Sequence, residues 1–228
     1  MIISGIVKSS FVDYPGLISA VLFAPGCNYN CFYCHNRQLL SGPQEEISLD
    51  YIYKFLDSRR GLIDAVVITG GEPTLQKDLI PFLHKIKSLG FKLKLDTNGS
   101  KPNVVENILK ENIVDYFAVD YKAPKSRYPS VAGCSITAEP VLKTINLLLE
   151  SDTDFEARTT LFPGLSGEDI FQMAKEMPVL PRYVLNRYRK PENYLPGDLE
   201  KINSIPLSQS EISAIVKKIR EYQPNICF

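Results

Sequence analysis

Six times along this chain a short apolar run rich in β-branched residues is followed by a segment with helical periodicity. That alternation narrows the choice of folds more than any other feature. The runs are Leu17–Ala24, Ala65–Ile68, Phe91–Leu95, Val114–Val119, Phe155–Leu161 and Tyr183–Asn186. Ser48 can cap a helix reaching about Ser58. Leu79, Phe82, Leu83, Ile86 and Leu89 recur with a period near 3.6 before Gly90 stops them. Further helices are expected from Pro102 through Leu109, over Glu139–Glu150, and from a Ser166 cap to Met177. Ser208-x-x-Glu211 is a capping box that opens a last amphipathic helix through Ile212, Ile215, Val216 and Ile219. Repeated strand–helix units imply parallel strands with right-handed crossovers. Six of them can curl into a partial barrel, short of the closed eight-stranded one, or lie as an open doubly wound sheet; periodicity does not separate the two.

The remaining segments read as connections. Residues 2–16 are a lead-in that ends in the turn-forming set Asp13-Tyr14-Pro15-Gly16. A polar stretch lies near Gly42-Pro43, and residues 124–137 and 189–207 read as longer loops. No internal repeat, low-complexity tract or linker divides the chain, so one domain over residues 1–228 is expected.

The unusual residues all fall at the C-terminal ends of the strands. Pro25-Gly26 breaks the first strand and delivers the chain into a loop over residues 25–36 that carries Cys27, Cys31 and Cys34, spaced C-x3-C-x2-C. Thiolates are soft ligands suited to iron–sulfur clusters or zinc. A zinc site wants a fourth protein ligand, which His35 beside Cys34 supplies awkwardly. A [4Fe–4S] cluster usually takes four cysteines, so three leave one iron open. Five cysteines, an odd number with three clustered, argue for a metal site in a reducing compartment rather than a disulfide frame. Cys134 and Cys227 read as unligated thiols.

After the second strand, Gly70-Gly71-Glu72-Pro73 can form a shelf where a ligand lies against backbone with no Cβ in the way. Taken with the cysteine loop it suits an amine; taken alone it is a tight turn. Asp96-Thr97-Asn98-Gly99 ends the third strand and is by itself a common turn. Asp120 and Lys122 alternate, so both point to one face. Lys122 there either holds a carboxylate or pairs with Asp120. Arg158, inside the fifth strand, points either outward or into the barrel at an anion.

Lys plus Arg and Asp plus Glu number 26 each, which leaves no global charge to attract nucleic acid or a membrane surface. No run is long enough to span a bilayer, and the N-terminus lacks the pattern of a signal peptide. The expectation is a cytoplasmic protein.

Together, the cysteine loop with an aromatic before its last cysteine and Gly-Gly-Glu-Pro after the second strand resemble the radical S-adenosylmethionine (SAM) superfamily. The resemblance implies a partial (βα)6 TIM-like barrel, and a [4Fe–4S] cluster ligated by Cys27, Cys31 and Cys34. SAM would chelate the open iron. Tyr33 would lie near the adenine, and Gly70, Gly71 and Glu72 would meet the methionine amine. Val12-Asp-Tyr-Pro-Gly16, Cys34-His-Asn36, Asp96-Thr-Asn-Gly99 and Asp120-x-Lys122 further resemble the glycyl-radical-enzyme activating enzymes, most closely the activating proteins of anaerobic ribonucleoside-triphosphate reductase. In that group Asp96, Thr97 and Asp120 resemble a monovalent cation site beside the SAM carboxylate. Lys122 and Arg158 would contact SAM, and Arg187 would lie near the ribose.

The implied function is generation of a glycyl radical on a partner enzyme, with a reduced flavodoxin or ferredoxin type electron donor. A partial barrel would leave a lateral opening for the partner's loop. Several relatives insert a further eight-cysteine module after the first cluster; this chain has no cysteine between Cys34 and Ser48, so a single cluster is expected. The alternatives are a radical SAM enzyme acting on a small molecule in modified-nucleoside or cofactor synthesis, and a non-catalytic metal-binding module.

Overall fold

Side-chain alternation along the strands dictates the layering. In the computed structural model, which describes residues 1–40 and 45–228, eight strands form one sheet in the order of the chain. They are β1 (Gly5–Tyr14), β2 (Leu17–Ala24), β3 (Ala65–Gly70), β4 (Lys92–Thr97), β5 (Tyr116–Asp120), β6 (Asp154–Leu161), β7 (Tyr183–Arg187) and β8 (Ile226–Cys227). β1 runs antiparallel to β2, and every later pairing is parallel. This is the partial TIM-like barrel, with all six expected strands present as β2 to β7. Among the described residues β1 and β8 pair only with their sequence neighbours, so the sheet does not close on itself. The expected polar stretch near Gly42-Pro43 lies outside the described residues.

The helices are α1 (Leu49–Asp57), α2 (Leu79–Ser88), α3 (Pro102–Glu111), α4 (Tyr128–Ala132), α5 (Glu139–Leu149), α6 (Gly167–Glu176), α7 (Leu199–Asn203) and α8 (Gln209–Ile219). Ser48 caps α1 by accepting from the Tyr51 amide, and Ser166 and Ser208 close capping boxes with Asp169 and Glu211. None of the described helices is long and apolar enough to cross a membrane.

Three segments read as connections carry structure. Residues 2–16 contain β1, a ten-residue edge strand. Its alternation is hidden because Val7, Phe11 and Val12 are exposed, and pairing with β2 rather than burial holds it. Register irregularities after Val7 and after Ser10 interrupt the ladder, as edge strands often do. Residues 124–137 include α4, and 189–207 include α7. Each is five residues long, too short to persist alone. Packing stabilises them through buried Tyr128, Val131 and Ala132 in α4 and buried Ile202 in α7.

The convex faces of the strands (Leu22, Ile68, Leu95, Val119, Ala157 and Leu185 among them) share one apolar core with the inward stripes of the helices, including Leu56, Ile86, Ile108, Ile145, Ile170 and Val216. Burying each such large side chain contributes about 1.5–3 kcal/mol. The concave face is different. Near the strand starts it carries a small cluster of Tyr14, Val21, Ala65 and Val67 with Tyr116 against it. Toward the strand ends it becomes polar, and the cleft lies there.

Candidate active site

The loop after β2 is held from three sides, two of them by backbone contacts. The Gly26 amide donates to the Leu39 carbonyl (2.7 Å), and the Asn30 amide to the Ala132 carbonyl at the end of α4 (2.7 Å). Arg37 ties the loop from a third side. Its guanidinium donates to the Cys31 carbonyl (3.1 Å) and to Asn30 Oδ1 (2.8 Å), and lies 3.8 Å from Asp198 just before α7. The segment read as an extended loop therefore straps down the cysteine loop.

The glycine pair after β3 explains its own composition. A Cβ on Gly71 would sit 2.1 Å from the Gly26 carbonyl oxygen, and one on Gly70, whose φ is +115°, would sit 2.4 Å from that of Ala24. The amides of Gly71 and Glu72 donate to the Ala24 and Gly26 carbonyls (2.8 and 2.7 Å), which locks the end of β3 against the start of the cysteine loop. The Gly70 carbonyl accepts from Asn36 Nδ2 (2.8 Å). Gly70 and Gly71 are thus required first by backbone packing; both also line the cleft.

That cleft encloses a cavity of about 200 Å³. Of the residues singled out in the sequence, Cys27, Cys31, Tyr33, Cys34, Gly70, Gly71, Asp96, Thr97, Asp120, Lys122 and Arg158 all line it. Cys31 is buried, whereas Cys27 and Cys34 are half-buried. Burial pushes the Cys27 thiol up to about 11 and Cys31 to about 12, against the pull of the nearby Lys122 ammonium; Cys34 is raised for the same reason. The Tyr29 amide (3.4 Å) and Asn98 Nδ2 (3.8 Å) point at Cys27 Sγ. Tyr33 stacks on Phe162 with ring centroids 4.6 Å apart, and its buried hydroxyl has no hydrogen-bond partner. Among the described residues, no three His, Cys, Asp or Glu side chains converge as they would on a single metal ion. A cubane cluster takes each cysteine on a different iron.

Across the cleft runs a chain of alternating charge. Lys94 Nζ donates to Asp96 Oδ1 (2.7 Å), Arg158 Nη1 to Asp96 Oδ2 (3.1 Å), Arg158 Nε to Asp120 Oδ1 (3.1 Å), and Lys122 Nζ to Asp120 Oδ2 (3.2 Å). Arg158 therefore points inward, and Lys122 both pairs with Asp120 and faces the cavity. Burial pushes the Asp120 carboxyl upward, but Lys122 and Arg158 outweigh it and hold the group below its ordinary range. Burial likewise opposes the charge on Lys122 and Arg158; the carboxylates beside them overcome it and keep both firmly protonated.

Two expected residues stand elsewhere. Glu72 is fully buried behind the cleft wall. Its carboxylate accepts from the Thr74 amide (3.0 Å) and hydroxyl (2.5 Å), the Thr97 hydroxyl (2.8 Å) and the Asn98 amide (2.6 Å). It braces the end of β3 to the end of β4. Burial raises its pKa, and these donors oppose the rise. Arg187 is corrected by register: it is paired with Leu161, which faces the convex core, while the concave residues are their neighbours Thr160 and Asn186. Arg187 is exposed and borders two other pockets, one near Leu207 and one near Arg189, not the cleft.

Sequence reasoning misses Lys94 and Thr69, and names Asn36 and Asn98 only as motif members without a role. Period-two alternation is the available signal for Lys94. If Asp96 faces inward from β4, then Lys94 must do so too.

A sequence model described as the radical SAM superfamily matches residues 21–177. A protein of Methanocaldococcus jannaschii named "Putative glycyl-radical enzyme activating enzyme" is 34 % identical over 232 residues, covering 99 % of this chain and 94 % of its own. A protein of Pyrococcus horikoshii named "Probable GTP 3',8-cyclase" is 30 % identical over 154 residues, 65 % of this chain and 48 % of its own. Among solved structures, Streptococcus suis SuiB bound to S-adenosylmethionine superposes with a TM-score of 0.65 at 17 % identity, over 89 % of this chain and 48 % of that one, a likeness of fold. Such a match across most of the strand–helix repeats, on a chain whose three-thiol loop and glycine pair meet at one cleft, leaves one assignment: this protein is a radical-chemistry enzyme of the radical SAM superfamily.

Proposed function

We propose that the cleft binds a [4Fe–4S] cluster through Cys27, Cys31 and Cys34 and SAM beside it, and that the enzyme generates a glycyl radical on a partner protein. The superfamily implies both groups, and the residues present fit them. Three thiols share one wall, and a backbone cradle too close for any Cβ lies next to it. A buried tyrosine hydroxyl without a partner completes an aromatic wall. When bound, the cluster supplies one electron that cleaves SAM to methionine and a 5′-deoxyadenosyl radical.

The chain's own residues orient and shield. Lys122 and Arg158 present fixed positive charge to the SAM carboxylate, and Tyr33 with Phe162 offers a flat surface to the adenine. The glycine pair accommodates the methionine end, and Glu72 acts on it indirectly by bracing the shelf. The hydrogen atom taken would be that on the Cα of a glycine in the partner, which would give 5′-deoxyadenosine and the glycyl radical. A reduced flavodoxin or ferredoxin type donor would return the cluster to its reduced state.

The observation that carries the reading is the meeting of the three-thiol loop and the Asp96–Arg158–Asp120–Lys122 charges in one cleft. Near full-length likeness to an activating-enzyme relative favours the protein substrate, and an anaerobic ribonucleoside-triphosphate reductase is the proposed partner. The unclosed sheet leaves a side through which a loop can reach the cleft. Likeness to a GTP 3′,8-cyclase relative supports a second reading, a small-molecule substrate, but the chain spans about half of that relative's length.

The test is anaerobic reconstitution with iron and sulfide, then mixing with SAM, a reductant and a candidate reductase. A glycyl-radical doublet by electron spin resonance is expected. Deoxyadenosine formed only when a small metabolite is added would transfer the assignment to the second reading.

A further inference from the structure

The resemblance to activating enzymes implies a monovalent metal cation beside the SAM carboxylate, held by Asp96, Thr97 and Asp120. The side chains do not fit that ion. Asp96 Oδ1 is taken by the Lys94 ammonium at 2.7 Å, and Asp96 Oδ2 by Arg158 at 3.1 Å and the Thr69 hydroxyl at 3.3 Å. Both oxygens of Asp120 are taken as well, by Arg158 and Lys122. The Thr97 hydroxyl donates to Glu72 and accepts from the Gly99 amide. Every oxygen of the carboxylate pair therefore already faces a cationic group, and an added metal ion would share its ligands with those cations and sit beside them. Repulsion between like charges at such distances is strong wherever water is scarce.

Lys94 is the unusual member. Its side chain is only 2 % exposed, and its one ion-pair partner among the described residues is Asp96. It lies on the concave face because β4 alternates Leu93 and Leu95 outward with Lys94 and Asp96 inward. Burying an ammonium is costly unless it is paired, so the charge is held there by that one carboxylate.

We propose that Lys94 is a built-in cation: its ammonium pairs with Asp96 and removes any need for exchangeable sodium or potassium in SAM binding. Lys94 is a positioning residue, acting through Asp96 and Arg158 on the bound carboxylate. The proposal rests on the SAM-binding reading of the cleft. It separates from that reading because cation binding can be measured with SAM absent.

Two measurements test it, each on wild type, Lys94→Met and Lys94→Gln. The first is the SAM dissociation constant of the reconstituted protein in potassium, sodium and tetramethylammonium chloride at equal ionic strength. Wild type is expected to vary less than twofold among the salts. The variants are expected to bind at least tenfold more weakly in tetramethylammonium, and to recover along a saturable potassium or sodium curve. The second is 23Na line broadening by the cluster-free protein without SAM, expected to be non-saturable for wild type and saturable for the variants. A tenfold, saturable gain for wild type in potassium or sodium would overturn the proposal. So would saturable 23Na broadening by wild type that Asp96→Asn abolishes, or variants that match wild type in both measurements. If one variant does not fold, the wild-type arms and the other variant still decide. If wild type binds no SAM in any salt, the reading of the cleft fails, and the 23Na comparison alone judges Lys94.

Discussion

The two faces of β4 to β6 are made of alternate residues of the same strands, yet they obey different rules. The convex face carries Leu93, Leu95, Phe117, Val119, Phe155 and Ala157, which pack against helices. The concave face carries Lys94, Asp96, Asp120 and Arg158, all of them paired. One face stabilises the fold by excluding water. The other concentrates charge that is tolerable only because each group meets its opposite within about one hydrogen bond's length. A single register step would exchange the two faces, so register is strongly specified here.

The largest expected effect strikes the cleft side alone. Cys31→Ala should reduce bound iron and sulfide after reconstitution to background and abolish SAM cleavage, while the cluster-free protein melts within a few degrees of wild type. Unfolding of the cluster-free variant together with loss of iron would instead mean that the loop supports the fold. On the convex side, Leu95→Ala should cost about 2–5 kcal/mol in urea unfolding by leaving a cavity between sheet and helices. Wild-type stability in this variant would break the comparison.

Glu72→Gln probes the seam between the faces. Replacing one carboxylate oxygen by an amide sets a donor against the donors now facing Glu72, and should cost about 1–3 kcal/mol. Iron content after reconstitution should stay near wild type while SAM affinity falls, because the shelf loosens and the thiols remain. Unchanged SAM affinity would remove the bracing role.

The smallest effect lies at the other end of the sheet. Burial pushes Asp115 upward, but Lys87, Lys92 and the Leu93 amide outweigh it and hold the carboxyl below its ordinary 3.8. A carboxyl whose folded pKa is depressed contributes stability above its unfolded pKa and loses it as pH falls through the folded one. Stability followed by urea unfolding from pH 6 down to pH 3 should therefore decline less steeply in Asp115→Asn than in wild type. Parallel curves would show that this ion pair adds nothing.

Much of this contrast is legible in the amino-acid sequence. The six strands, the capping residues Ser48, Ser166 and Ser208, and the clustering of motifs at strand ends follow from local periodicity and turn chemistry, which act within a few residues. The gaps have a common cause. β1 shows exposed Phe11 and Val12 because its partner strand, not burial, stabilises it. α4 and α7 are too short to announce themselves and exist by packing against the cysteine loop and its surroundings. Arg187 is displaced from the cleft by register alone.

What the sequence determined by itself is the alternation of strand and helix, the three-thiol loop at a strand end, and the family to which such a loop belongs. Each is a property of neighbours along the chain. Only the tertiary structure decided that Glu72 braces rather than faces the cavity, that Arg158 turns inward between two carboxylates, and that Lys94 is a buried cation beneath Asp96. Those outcomes depend on which strands lie side by side and on which face curls inward. Arg158 stands 38 residues from Asp120 and 62 from Asp96 in sequence, and comes within 3.1 Å of both only when the sheet is rolled.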